Sequence, residues 1–171
     1  MQTKRMIVLA LMTVMAGVLH FVEASLPLPL PIPGCKLGLA NIISLYVLVR
    51  FGLKDALVVV VLRVLLGSLL SGTLLSSGFF MSFSGALVAC LVMHITRRYL
   101  TVFSVVGVSV MGAVAHNISQ LAVAALLIGS GAIWCYLPYL LLFAVFTGIF
   151  TGLTVRYLVE GLHKVGWEQE F

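Results

Sequence analysis

Apolar residues fill this chain in six long runs, and each run ends at a short break of proline, glycine, serine or charge. The runs cover approximately residues 6–26, 37–51, 55–71, 79–96, 103–129 and 134–157. A helix rises roughly 1.5 Å per residue, so about 20 residues cross a hydrocarbon layer about 30 Å thick. The pattern therefore predicts six transmembrane helices. The second and third runs are short; they extend into their flanks or pack inside the bundle, where full spanning is not required. Pro27, Pro29, Pro31 and Pro33 alternate up to Gly34, which predicts an extended, polyproline-like connection after the first helix. Phe51-Gly52-Leu53-Lys54-Asp55 predicts a tight turn, and Ser76-Ser77-Gly78 and Gly129-Ser130-Gly131 predict small-residue loops.

Composition strengthens this picture. Of 171 residues, 62% are apolar and 9% charged, with a mean hydropathy of +1.22. A soluble domain carries about 25% charged residues, and a water-exposed surface needs more polar groups than this chain offers. A surface facing a lipid bilayer does not. The expectation is an all-α, polytopic bundle of six transmembrane helices, forming one integral membrane domain over residues 1–171.

The charges set the orientation. The net charge is +5, yet no basic tract is longer than two residues, which argues against nucleic acid as a partner. With six spans, Lys4, Arg5, Arg50, Lys54, Arg97, Arg98, Arg156 and Lys164 all fall on one face, and only Lys36 marks the loops of the other. This positive-inside bias predicts both termini in the cytoplasm of a multi-pass protein of the cell membrane. Lys4 and Arg5 before an apolar run also match a signal peptide, with Glu23-Ala24-Ser25 a passable cleavage region. The run is long enough to span a bilayer, so it is read as a retained helix. Cys35, Cys90 and Cys135 lack metal-type spacing; Cys35 and Cys135 are candidates for one membrane face, with a disulfide or two free thiols both open.

Polar groups within the runs are candidates for chemistry, because Arg at the centre of a membrane helix costs about 2.5–3.5 kcal/mol on insertion scales. Arg63 lies nine residues past Lys54, which is about 13 Å into the membrane. It is read either as an internal partner of Glu23 or backbone carbonyls, or as a contact for an anionic ligand. His20 and Glu23, three apart on the first helix, are an interfacial polar pair or part of a cavity lining. His116, Asn117 and Gln120 cluster on the fifth helix, as interhelical hydrogen bonds or as ligand contacts. Asn41 sits inside the second helix, with Lys36 just above it. All of these except Arg63 map to the outer half, and Arg63 to the middle; the cytoplasmic half holds only His94. One outward-opening polar pocket for a small polar or amphipathic solute is the economical interpretation.

Other chemistries have weaker support. His20, Glu23 and His116 come from distant helices, without a local metal-ligand motif. There is no phosphate-binding glycine loop and no nucleophile elbow. Asp55 is the only aspartate, so the paired aspartates that hold Mg²⁺–diphosphate are missing. No catalytic residues and no cofactor are expected. Gly148 and Gly152, and Thr13 and Gly17, form small-xxx-small spacings that serve either packing within the bundle or contact with a partner.

The segment Pro31-Ile32-Pro33-Gly34-Cys35-Lys36-Leu37-Gly38-Leu39-Ala40-Asn41-Ile42-Ile43 resembles the Gx transporter family, whose members are often labelled heptaprenyl diphosphate synthase component I. The wider group is similar to the substrate-binding S components of energy-coupling-factor vitamin transporters. That resemblance implies six helices, an outward pocket partly covered by the loop after helix 1, and uptake of a vitamin- or cofactor-like solute with a coupling-factor transmembrane subunit and ATPases as partners. S components commonly dock through an Ala-xxx-Ala pattern on helix 1. Here Ala10, Thr13, Ala16 and Gly17 only approximate it. The substrate-binding set expected is His20, Glu23, Lys36, Asn41, Arg63, His116, Asn117 and Gln120. The alternative is a non-catalytic membrane accessory of a prenyl diphosphate synthase, or of a flavin- or quinone-linked electron-transfer system, using the small-residue stripes as its working surfaces.

Overall fold

The computed structural model describes residues 2–25 and 38–164. Six α-helices follow one another: α1 (Gln2–Ser25), α2 (Leu39–Arg50), α3 (Leu53–Leu70), α4 (Ser77–Tyr99), α5 (Val105–Ile128) and α6 (Leu137–Lys164), with a 3₁₀ helix (Gly131–Tyr136) leading into α6. No strand occurs among the described residues. Four stretches, Thr3–Glu23, Ser77–Tyr99, Val105–Ile128 and Gly131–Lys164, are long and apolar enough to cross a membrane. By contrast, α2 has 12 residues, and the 18 residues of α3 include Lys54, Asp55 and Arg63. The alternating prolines, Cys35 and Lys36 lie outside the described residues.

The short α2 is the centre of the bundle. It packs against α1, α3, α4 and α6, and Ile43 through Leu48 are buried without interruption. A helix that is apolar all the way round has no solvent face, and burial is the arrangement that suits it. Leu45, Val47 and Leu48 meet Val59, Val60 and Val64 of α3 and Cys90 of α4 in one core cluster. The longer helices surround this core and turn apolar residues outward, as α6 does with Leu142, Phe146 and Phe150. Such a surface suits lipid rather than water.

The small-residue spacings are spent inside the bundle. A Cβ on Gly148 would come within 2.6 Å of the Val110 Cα, and one on Gly152 within 2.6 Å of the Val106 Cα, so α6 rests on the backbone of α5. Gly17 faces α3, where a Cβ would sit 3.4 Å from the Leu66 Cβ, and Thr13 and Ala16 are buried. These stripes are therefore not free surfaces for an accessory role. Of the four small residues on α1, only Ala10 is exposed.

Helix ends differ from the expected boundaries for local reasons. The turn after α2 is confined to Phe51 and Gly52, and Gly52 supplies a positive φ of 93° that lets α3 begin at once. The predicted loop Ser76-Ser77-Gly78 is instead the start of α4: the Ser76 hydroxyl accepts from the Phe79 N–H at 3.3 Å and caps the helix. Residues 134–136 belong to the 3₁₀ helix, and α6 continues past Tyr157 to Lys164, where Arg156 pairs with Glu160 at 2.8 Å one turn on.

Chain alternation brings the basic residues to the end that carries the start of α1. Arg5 pairs there with Asp55 at the start of α3. Arg97 at the end of α4 donates to the Leu48 and Val49 carbonyls, at 2.9 and 2.8 Å. Those carbonyls belong to the last turn of α2, which has no intrahelical donors left to satisfy it.

A polar cavity among the helices

Beyond the core cluster, toward the end of the bundle away from Arg97, α1 to α6 all contribute side chains to one internal cavity of about 40 Å³. His20, Glu23, Asn41, Arg63, His116 and Asn117 line it, together with Ser82, Thr147 and Thr151. Six of the eight residues expected from the sequence are thus brought together. Gln120 is not among them; it lines a neighbouring apolar pocket. Lys36 lies outside the described residues.

Each polar group is held by an identifiable local feature. Gly38, at the start of α2, has a φ of 77°, in the left-handed region that glycine adopts at little cost. This conformation aims its N–H at Glu23, whose Oε1 accepts it at 2.5 Å. The Gly38 carbonyl accepts from the Asn41 N–H at 2.9 Å. One turn into α2, the Asn41 Oδ1 then accepts from Arg63 Nη2 at 2.7 Å. Glu23 also acts electrostatically on Arg63. The Gly-Leu-Ala-Asn part of the recognised segment is therefore the strut between α1 and α3.

Arg63 is 3% exposed, and its Nε has no acceptor among the described residues. A buried guanidinium N–H without an acceptor is costly, and water or a ligand oxygen in the cavity would relieve it. The His20 ring lies on bare backbone: a Cβ on Gly67 would stand 2.4 Å from its Cδ2. His116 rests similarly on Gly85 of α4, where a Cβ would be 3.0 Å from its Cε1. Asn117 donates to the Leu140 carbonyl at 2.8 Å, so it ties α5 to α6 as well as facing the cavity. Among the described residues, no three His, Cys, Asp or Glu side chains are grouped to hold a metal ion. Cys90 is a buried free thiol and Cys135 an exposed one.

The hydroxyls escaped the sequence reading. Thr147 and Thr151 belong to a Thr-Gly-Ile-Phe-Thr-Gly repeat in α6. Its glycines press on α5 while its threonines line the cavity. Hydroxyls satisfy themselves within a helix, as Thr147 does on the Phe143 carbonyl at 3.0 Å, so their cost in an apolar run raises no flag. The four-residue repeat of Thr-Gly pairs was the available signal. Chemically, the cavity offers one guanidinium, one carboxylate, two imidazoles and two amides in a volume that holds about three waters.

A family model described as heptaprenyl diphosphate synthase component I matches residues 12–158. No curated protein and no solved structure matches the chain.

Proposed function

We propose that this chain, which belongs to the heptaprenyl diphosphate synthase component I family, is a membrane solute-binding subunit that works like an S component. In this reading all six helices span or enter the bilayer, both termini are cytoplasmic, and the cavity lies in the outward half. Capture of a small solute from outside would precede its release inward through partner coupling and ATPase subunits. The observation that carries the reading is the Arg63 guanidinium, buried at the meeting point of six helices with one donor on Asn41 and another lacking an acceptor among the described residues. A group that only fixed packing would have its donors satisfied by protein. The compact lining fits a small, acceptor-rich head, with His116 and Asn117 as further contacts. The volume of about 40 Å³ is well below the roughly 300 Å³ of ordinary ligand pockets, so this cavity suits the head of a solute and not a large body.

The test is equilibrium binding of the small molecule that co-purifies with the protein, identified by mass spectrometry. Asn41→Ala and His116→Ala, each checked for retained helical content, lose about tenfold or more in affinity, the equivalent of about 1.4 kcal/mol. Unchanged affinity in both removes the assignment. The family description favours a second reading, an accessory subunit of a prenyl diphosphate synthase. Recovery with such a synthase from mild detergent would support it; recovery with coupling and ATPase subunits supports transport.

A further inference from the structure

Gln120 is a buried amide, 4% exposed, on a helix that is otherwise largely apolar. It lines a second, partly open pocket of about 390 Å³ between α4, α5, the 3₁₀ helix and the start of α6. Met81, Leu121, Ala124, Ile133 and Leu140 make this pocket largely apolar, and its volume is that of a small-molecule site. The two spaces are neighbours. Ser82 lines both. Between them, His116 and Gln120 stand one turn apart on α5 and both rest on Gly85, where a Cβ would be 3.0 Å from each. His116 lines the polar cavity and Gln120 the apolar pocket, so the two linings meet on Gly85.

Resting on the reading of the polar cavity as a solute site, we infer that the solute is an amphipathic organic acid: its acceptor-rich head lies against Arg63, its neck passes Ser82 and Gln120, and its apolar body fills the second pocket. Arg63 Nε, which lacks an acceptor among the described residues, marks the head, and the buried Gln120 amide in the lining of the second pocket marks the neck. A hydrocarbon chain entering from the bilayer would fill the apolar pocket but offer no hydrogen-bond partner to the Gln120 amide, which a polar neck does. The head cavity alone is too small for a solute with a sizeable body, and the second pocket supplies the missing space.

The probes are acetate, butyrate, octanoate and 1-octanol, titrated calorimetrically into the full chain in phosphatidylcholine nanodiscs, with empty nanodiscs subtracted. Carboxylate affinity rises with chain length by up to about fourfold per methylene, the factor for burying one such group. Octanoate binds more tightly than octanol. In Ala124→Trp, which fills the second pocket, octanoate falls to the affinity of butyrate while butyrate is unchanged; Ile133→Trp gives the same result if the first variant does not fold. Octanoate binding that is indifferent to both variants overturns the inference, as does a phospholipid that stays bound in mass spectra and is not displaced by octanoate. Arg63→Gln and His116→Ala judge the head site separately. If they leave butyrate binding intact while Ala124→Trp still weakens octanoate, the polar-cavity reading fails and the apolar pocket stands.

Discussion

The His20 ring sits where no side chain but hydrogen can be tolerated on the neighbouring helix. Gly67→Ala puts a methyl 2.4 Å from the His20 Cδ2, so the ring must turn out of the cavity lining. This substitution alters no polar group of the cavity itself. It is expected to weaken solute binding by about tenfold, a loss of about 1.4 kcal/mol, whereas Gly17→Ala, whose Cβ meets only an ordinary 3.4 Å contact, leaves binding unchanged. Paired titrations of the two variants check this. At the same scale, depth along each helix was readable from residue numbers, and it was enough to gather His20, Glu23, Asn41, Arg63, His116 and Asn117 around one space. It was not enough for Gln120. One turn beyond His116 carries that amide past the cavity into the apolar pocket, and an apolar run conceals where one lining ends and another begins.

Among elements, α5 and α6 meet backbone to backbone. A methyl on Gly152 would lie 2.6 Å from the Val106 Cα, which cannot rotate away. Overpacking of this kind costs about 1–3 kcal/mol and outweighs the roughly 1 kcal/mol that alanine gains over glycine in a helix. Gly152→Ala should therefore lower the midpoint of thermal unfolding in detergent. Gly161→Ala, in the same helix but with nothing within 4 Å of the added Cβ, should raise it slightly. The apolar runs announced the helices, including the 12-residue α2 whose unrelieved hydrophobicity matches its burial. They could not give the helix ends. Those depend on a serine cap at Ser76, a left-handed glycine at Gly38, and the polar turns of α6 that continue to Lys164 once the helix is under way.

For the whole molecule, alternation places the loop at 71–76 and the loop at 100–104 at opposite ends of the bundle. In a background without Cys35, Cys90 and Cys135, an impermeant maleimide applied to intact cells is expected to label Leu74→Cys. It should label Val102→Cys, at a site 96% exposed, only after permeabilisation. The reverse pattern inverts the proposed orientation, and labelling of both from one side contradicts the proposed spans. The basic face legible in the sequence has a structural counterpart in Arg97, whose grip on the Leu48 and Val49 carbonyls has a mechanical consequence. Helix α2 is a stiff rod of 12 residues, about 18 Å long. Asn41 touches the guanidinium at one tip, and Arg97 clasps the other. One rigid element thus carries a cavity contact at its first turn and a basic clasp at its last, and ties the two ends of the bundle together.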